Sequence, residues 1–398
     1  MRVSWTGSRN VFVYFACQAL AASSASLLAA TSAIVGAMLA PDPRLATVPA
    51  AVQQLATFVT TYPASHVMAR VGRRAGFSLG AGLGAAGGAA ATLGVLEHSF
   101  AVFCVGTALR GGQAGFATFY RFAAVESVPA ARRERALGWV MSAGVLAAFL
   151  GPWLARRAGH VGSTAFAGAF VALVAMAVLA VALLQLLDAT AAPVASDRPR
   201  AALRDIARKP AFLVFAVAGM VTGATMVFVM VVTPLAMAGC HHDFDHTAAV
   251  IQWHVLAMFA PSFVTGRLVA RFGARQIVLA GVLLCASAAV VNASGTSVLH
   301  FQLALVLLGL GWNLAFIGAT TAVAQVAPEE RAAAQGLNDV LVFSAVAIAS
   351  FGAGVVEYAA GWRVLNLAVL PALGGVGLAL VRRMRRRATT GDRANRAG

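Results

Sequence analysis

Twelve apolar stretches recur along the 398-residue chain, and they limit what it can fold into more than any motif does. They lie at 11–38, 46–68, 76–96, 100–126, 136–155, 163–187, 211–237, 248–269, 277–294, 301–326, 337–357 and 364–381. Most hold 18 residues or more, and at ~1.5 Å of helix rise per residue such a run covers a hydrocarbon core of ~30 Å with some tilt. In lipid every backbone N–H and C=O needs a partner within the segment or a closed sheet, and no barrel-like alternation is present, so the runs read as helices. The expected fold class is all-α integral membrane with twelve transmembrane helices. Composition agrees: 60% hydrophobic and 11% charged residues leave too little polar surface to coat a water-soluble globule. The first run follows a short N-terminus, MRVSWTGSRN, and lacks a convincing cleavage site, so it reads as a retained helix.

Charge placement orients the chain. Lys and Arg number 30 against 14 Asp and Glu, a net charge of +16. A basic excess can signal nucleic acid, but here the arginines sit between apolar runs and not along one amphipathic face. With the N-terminus placed in the cytoplasm, 24 basic residues fall on that side, and only Arg44, Arg156, Arg157 and Arg363 on the other. That asymmetry expects a cytoplasmic-membrane protein with an even number of spans and both termini inside. Cys17, Cys104, Cys240 and Cys285 are scattered and form neither a disulfide framework nor a zinc pattern. The long connector from Asp188 to Pro210, rich in Ala, Pro and Arg, reads as a cytoplasmic linker with one short amphipathic turn.

The chain also repeats itself. SHVMARVGRR at 65–74 aligns with GRLVARFGAR at 266–275 at an offset of 201 residues, bringing Arg70 onto Arg271, Gly72 onto Gly273 and Arg74 onto Arg275. Leu55, Ala56, Phe58 and Gly80 meet Leu256, Ala257, Phe259 and Gly281 at the same offset. VPAARRERALG at 128–138 and VAPEERAAAQG at 326–336 echo each other at offset 198. Duplication of a six-helix unit is the expectation, with bundles at 1–187 and 211–398 about the linker, a ground plan common in secondary transporters.

Six plus six helices, a long central loop and basic connectors after the second and eighth stretches resemble the major facilitator superfamily over the whole chain. Its connector signature survives as Arg70, Gly72, Arg73 and Arg74, and again as Gly266, Arg271, Gly273 and Arg275. Ser65 replaces the first glycine, and Ala69 and Ala270 replace an acid that in the family helps lock the cytoplasmic gate. The resemblance therefore implies a gate built from Arg70, Gly72, Arg74, Arg271, Gly273 and Arg275, with Arg70 or Arg74 pairing with Glu126 instead. These arginines also set topology.

ALRGGQAG at 108–115 is similar to the family's fourth-helix motif, with Arg110 and Gln113 at its arginine and glutamine and Ala114 in place of a glycine. A guanidinium near mid-membrane costs about 2.5 kcal/mol or more, so it must face water or a partner. The resemblance implies proton coupling or substrate contact for Arg110; holding helices together through carbonyls is the other reading. Arg121, on nearly the same helix face, lies about 16 Å nearer the cytoplasm and snorkels to the interface. Gly138, Gly151 and Pro152 match part of the glycine-proline motif of the family's antiporters. Gly76, Gly80, Gly84 and Gly88 form a smooth packing ridge.

In the second half His254 falls on the repeat position of Gln53. It either relays protons or packs as a hydrogen-bonded imidazole. If helices 1, 4, 7 and 10 surround the cavity as they do in the family, Gln18, Trp312 and Asn313 line it. Asp339 reads as a helix-terminal acid. CHHDFDH at 240–246 lacks zinc spacing and reads as a solvated loop, with no metal expected.

The expected function is secondary active transport of a small organic solute by alternating access, coupled to protons and directed outward. Import or facilitated passage of a polar nutrient is the alternative. A polytopic enzyme or receptor is the reading from another class, and no nucleotide loop, paired metal-ligand helix or nucleophile elbow supports it. The partners expected are the bilayer, the solute and protons; no cofactor and no nucleic acid are expected, and the chain reads as a monomer.

Overall fold

The computed structural model describes residues 5–159, 164–188, 203–326 and 331–395. Most of the linker and residues 327–330 of the second echo lie outside them. Every regular element among the described residues is helical. The first half runs α1 (Trp5–Leu39), α2 (Val48–Val71), α3 (Arg73–Leu96), α4 (Phe100–Ala117), α5 (Tyr120–Glu126), α6 (Arg133–Gly159) and α7 (Ala167–Leu184). After the linker come α8 (Leu203–Arg208), α9 (Pro210–Gly239), α10 (Phe244–Phe259), α11 (Ser262–Phe272), α12 (Ala274–Ser294), α13 (Val298–Val326), α14 (Arg331–Ala368) and α15 (Leu370–Asn395). The short α8 is the amphipathic turn expected in the linker, and it buries Ile206 against Phe212, Ala216, Val323 and Ala334.

Local chemistry sets the boundaries. Pro49 and Pro210 open α2 and α9, where a missing N–H costs nothing. Ser99 caps α4 by accepting from the Val102 N–H, and Asp243 caps α10 by accepting from the His246 N–H at 2.8 Å. That N–H holds the Asp243 carboxyl below the usual carboxylate range, as the side chain of Arg44 does for Asp42. Among the described residues eight helices are long and apolar enough to cross a membrane, or nine if α10 and α11, bent by 42° at a short break, count as one span. α2 and α4 fall short because they carry Gln53, Gln54, Arg110 and Gln113. The last of the eight, Ala333–Arg382, contains a break at Gly361, whose φ of 77° no helix accommodates.

The repeat is visible in the backbone. Gly72 and Gly273 each end a helix with positive φ, 85° and 87°, and begin the next one immediately. Their N–H groups donate to Met68 and Val269, residues that also lie 201 apart. This is a conformation that only glycine enters cheaply.

Packing between the halves is lopsided. One core cluster unites Ala30, Ala50 and Ala148 of the first half with Val227, Val231, Ile251 and others of the second, and all three alanines lie toward the end remote from the termini. Phe166 and Phe244 meet edge to face there, with centroids 5.0 Å apart, and Thr47 Oγ1 accepts from the Gly354 N–H at 3.1 Å. At the end that carries the termini, each core belongs to one half. Val13, Tyr14, Phe77 and Tyr120 cluster in the first, and Ile206, Phe212 and Val323 in the second.

Candidate functional site

Arg110 and Gln113 sit one turn apart on α4, 4% and 3% exposed, and the guanidinium donates to Gln113 Oε1. Both lie against α3, where glycine makes the room. A Cβ on Gly84 would stand 2.0 Å from Gln113 Oε1 and 2.9 Å from an Arg110 terminal nitrogen, and one on Gly87 would stand 2.8 Å from the Arg110 backbone nitrogen. Among the described residues no carboxylate pairs with Arg110, and its Nε has no hydrogen-bond partner. A buried guanidinium held by one neutral amide is electrostatically incomplete, and a proton acceptor or an anionic or strongly polar group would complete it.

The second half builds the same contact with sizes exchanged. Cys285 takes the repeat position of Gly84, and Gly311 that of Gln113. A Cβ on Gly311 would stand 2.8 Å from Cys285 Sγ, so the side chain now comes from α12 and the gap from α13. Leu308, 1% exposed, stands where the first half has Arg110. The buried cation is thus confined to the first half.

His254 is fully buried on α10, and its Nδ1 lies 2.7 Å from the Leu305 carbonyl on α13. Because a carbonyl only accepts, Nδ1 carries the proton, which leaves Nε2 as a bare acceptor with no partner among the described residues. Asn313 holds the bend between α10 and α11. Its amide nitrogen donates to the Met258 carbonyl and to Ser262 Oγ, both at 2.7 Å, and its oxygen accepts from Thr265 at 2.7 Å. Those three partners bracket the break at Ala260 and Pro261, so the side chain read as a cavity liner is occupied in fastening a broken helix. Asn313→Ala should remove a network of roughly 2 kcal/mol and lower the melting temperature of the purified protein by several degrees. Asn313→Asp should not rescue the loss, because it keeps the Thr265 bond but sets a carboxylate oxygen against the Met258 carbonyl, acceptor against acceptor.

Trp312, next along α13, stacks on Phe316 with centroids 5.0 Å apart and planes 14° from parallel, and both rings are half-buried. Gln18 is half-buried on α1 beside the buried Cys17. Among the described residues no hydrogen bond joins Arg110 or Gln113 to His254, Trp312, Asn313 or Gln18.

At the connectors, Glu126 takes a different partner from the two expected. Arg73, 9% exposed, donates to both Glu126 oxygens at 2.9 and 2.7 Å, while Arg74 reaches Gln185 Oε1 at 2.8 Å and Arg70 points into solvent. The turn at Gly72 resets the helical phase, so Arg73 at the start of α3, and not Arg70 in the last turn of α2, faces α5. In the second half Ala274 and Ala324 occupy the repeat positions of Arg73 and Glu126, so the pair has no copy there. Arg271 instead lies over the Phe272 ring at 5.2 Å, and Arg121 over Phe122 at 4.8 Å. In the CHHDFDH loop, His246 pairs with Asp243 at 2.8 Å and His242 bonds the Thr296 carbonyl at 2.7 Å.

Half-buried Glu357 on α14 escaped the sequence reading. It lies three residues beyond Gly354, and its Oε2 is buried without a partner among the described residues. The available signal was an acid at the edge of an apolar run.

The sequence profile of the Major Facilitator Superfamily matches residues 14–251 and 228–397. The riboflavin transporter RfnT of Brucella anthropi is 39% identical over 385 residues, covering 95% of this chain and 96% of the relative. YdeG of Bacillus subtilis, an uncharacterised transporter of the same type, is 32% identical over 179 residues, or 44% of this chain and 40% of its own length. Among solved structures, the nucleoside transporter NupG superposes with a TM-score of 0.72 at 13% identity, covering 93% of this chain and 99% of that one. A POT family transporter bound to 5-aminolevulinic acid gives 0.72 at 13%, covering 94% and 96%. With the profile spanning nearly the whole chain and helices doubled about one turn geometry, this protein belongs to the Major Facilitator Superfamily of membrane transporters.

Proposed function

We propose that this transporter carries riboflavin or a closely related flavin by alternating access, as two six-helix bundles, 1–187 and 211–398, tilt about their shared core. The observation that carries the substrate is the likeness to a riboflavin transporter along 95% of the chain. The stacked Trp312 and Phe316 offer a planar aromatic surface suited to an isoalloxazine ring. A vitamin as solute favours uptake over the export suggested by the partial motif at Gly138, Gly151 and Pro152.

In this proposal the chain makes twelve spans as a monomer in the cytoplasmic membrane, α4 with α5 and α10 with α11 each counting as one, with the termini and the Arg73–Glu126 pair in the cytoplasm. The seam that is tight away from the termini then corresponds to a carrier shut to the outside. Arg110 with Gln113 is the site at which an anionic or strongly polar group of the solute completes an unbalanced charge, and His254 Nε2 is the acceptor open to a proton. The remaining gate positions, Arg70, Gly72, Arg74, Arg271, Gly273 and Arg275, act as turn and topology residues.

Uptake of labelled riboflavin by proteoliposomes tests the substrate. Saturable uptake that excess unlabelled riboflavin suppresses is expected, with Trp312→Ala raising the half-saturating concentration roughly tenfold, the worth of about one aromatic stacking contact. Collapsing an imposed pH gradient should end accumulation against a concentration difference. Uptake no greater than in empty vesicles would remove riboflavin as the substrate, and accumulation indifferent to the pH gradient would remove protons as the coupling ion.

A further inference from the structure

At the end of the seam remote from the termini, a cleft of about 580 Å³ opens between the halves, lined by Trp153, Arg156 and Arg157 of α6 and by Asp245 of α10. Its volume lies within the range of small-ligand sites, ~300–1,000 Å³. The spacing 153, 156, 157 puts the indole and both guanidiniums on one helix face. Basic residues in the last turn of α6 suit its dipole, but that alone explains neither the indole nor the carboxylate facing them. Neither arginine has an ion pair among the described residues. Asp243 and His246 satisfy each other, which leaves Asp245 in the cleft. Trp153 is 48% exposed, as befits an indole at the level of lipid headgroups.

We infer that this cleft binds a phosphoethanolamine zwitterion, the headgroup of an aminophospholipid. Two guanidiniums take the phosphate, which their forked donors suit. The Asp245 carboxylate and the Trp153 ring take the ammonium. A purely anionic headgroup would leave Asp245 opposed, and a quaternary ammonium would lack the N–H groups that Asp245 accepts. Because α6 belongs to one half and α10 to the other, a bound headgroup ties the two together where the seam is already tight.

The test uses the full chain, delipidated in detergent, with binding read by native mass spectrometry and melting temperature. Phosphatidylethanolamine, phosphatidylglycerol and phosphatidylcholine are compared at equal concentration. The expected result is a preference of roughly tenfold for phosphatidylethanolamine over the other two, about one charge-assisted hydrogen bond. D245N should abolish its preference over phosphatidylglycerol while leaving phosphate binding. R156Q/R157Q should abolish binding of all three, and R156K/R157K should retain part, which separates lost recognition from misfolding. Free phosphorylethanolamine distinguishes the source. Protection by it at the lipid's concentration supports the site with an aqueous ligand, and protection by lipid alone supports it with the bilayer as donor. Equal binding of the three lipids by the parent protein, or an unchanged preference in D245N and R156Q/R157Q, would overturn the inference.

Discussion

Arg110→Ala is expected to reduce transport by at least about tenfold to a hundredfold, while the protein still inserts and folds. That range corresponds to one hydrogen bond to a charged group, ~1.5–3 kcal/mol. The guanidinium is 4% exposed, and among the described residues Gln113 is its one side-chain partner and no carboxylate pairs with it. Deleting it removes an unpaired buried charge but leaves a void and strands the Gln113 oxygen, so the melting temperature should fall only modestly. The reverse change separates function from packing. Gln113→Ala strands a buried guanidinium and opens a void over Gly84, so it should lower both activity and stability. Arg110→Lys keeps the charge but loses the fork, and intermediate transport is expected. Rates from proteoliposomes, normalised to reconstituted protein, with thermal unfolding alongside, decide the matter. An Arg110→Ala protein transporting at the parent rate would exclude the residue from the mechanism.

Gly111→Ala and Gly309→Ala should both destabilise the protein, the first more than the second. A Cβ on Gly111 would fall 2.2 Å from the backbone carbonyl oxygen of Gln53, and one on Gly309 would fall 2.7 Å from that of His254. Backbone oxygens inside packed helices have nowhere to retreat. Overpacking of this kind costs about 1–3 kcal/mol, and the shorter approach belongs at the top of that range. The two glycines lie 198 residues apart and their targets 201, so one helix crossing has been inherited twice. Thermal unfolding of both variants beside Gly112→Ala, whose Cβ meets nothing closer than 3.4 Å, gives the internal control. Equal stability of all three would refute the close crossing.

What the sequence revealed follows from which interactions repeat. Runs of apolar residues announce membrane helices, and Gly72 with Gly273 announced a turn used twice, because a positive φ admits little besides glycine. The partner of Glu126 was not legible in the same way. Three arginines stood within five residues, and the one that turned inward depends on a helical phase that Gly72 resets. Asn313 was placed in a cavity because its helix is one of the four that surround the pathway in the family the chain resembles. Its actual partners, Met258, Ser262 and Thr265, flank a helix break that only the fold brings within reach. The exchange of Gly84 and Gln113 for Cys285 and Gly311 escaped notice because alignment rewards identity, whereas packing conserves the sum of two volumes. Phe166 and Phe244 meet across the halves, and no periodicity within either half could pair them.

Two cysteines placed across the seam, Thr47→Cys and Gly354→Cys, test the central claim most directly. A Cβ on Gly354 would stand 2.6 Å from Thr47 Oγ1 and 3.1 Å from Thr47 Cγ2, so the two new side chains meet within bridging range. Oxidation should join them in nearly every molecule and stop transport, and reduction should restore it, because a carrier that works by parting its halves cannot work with that end tied. Transport continuing at the parent rate in fully cross-linked protein would contradict the account.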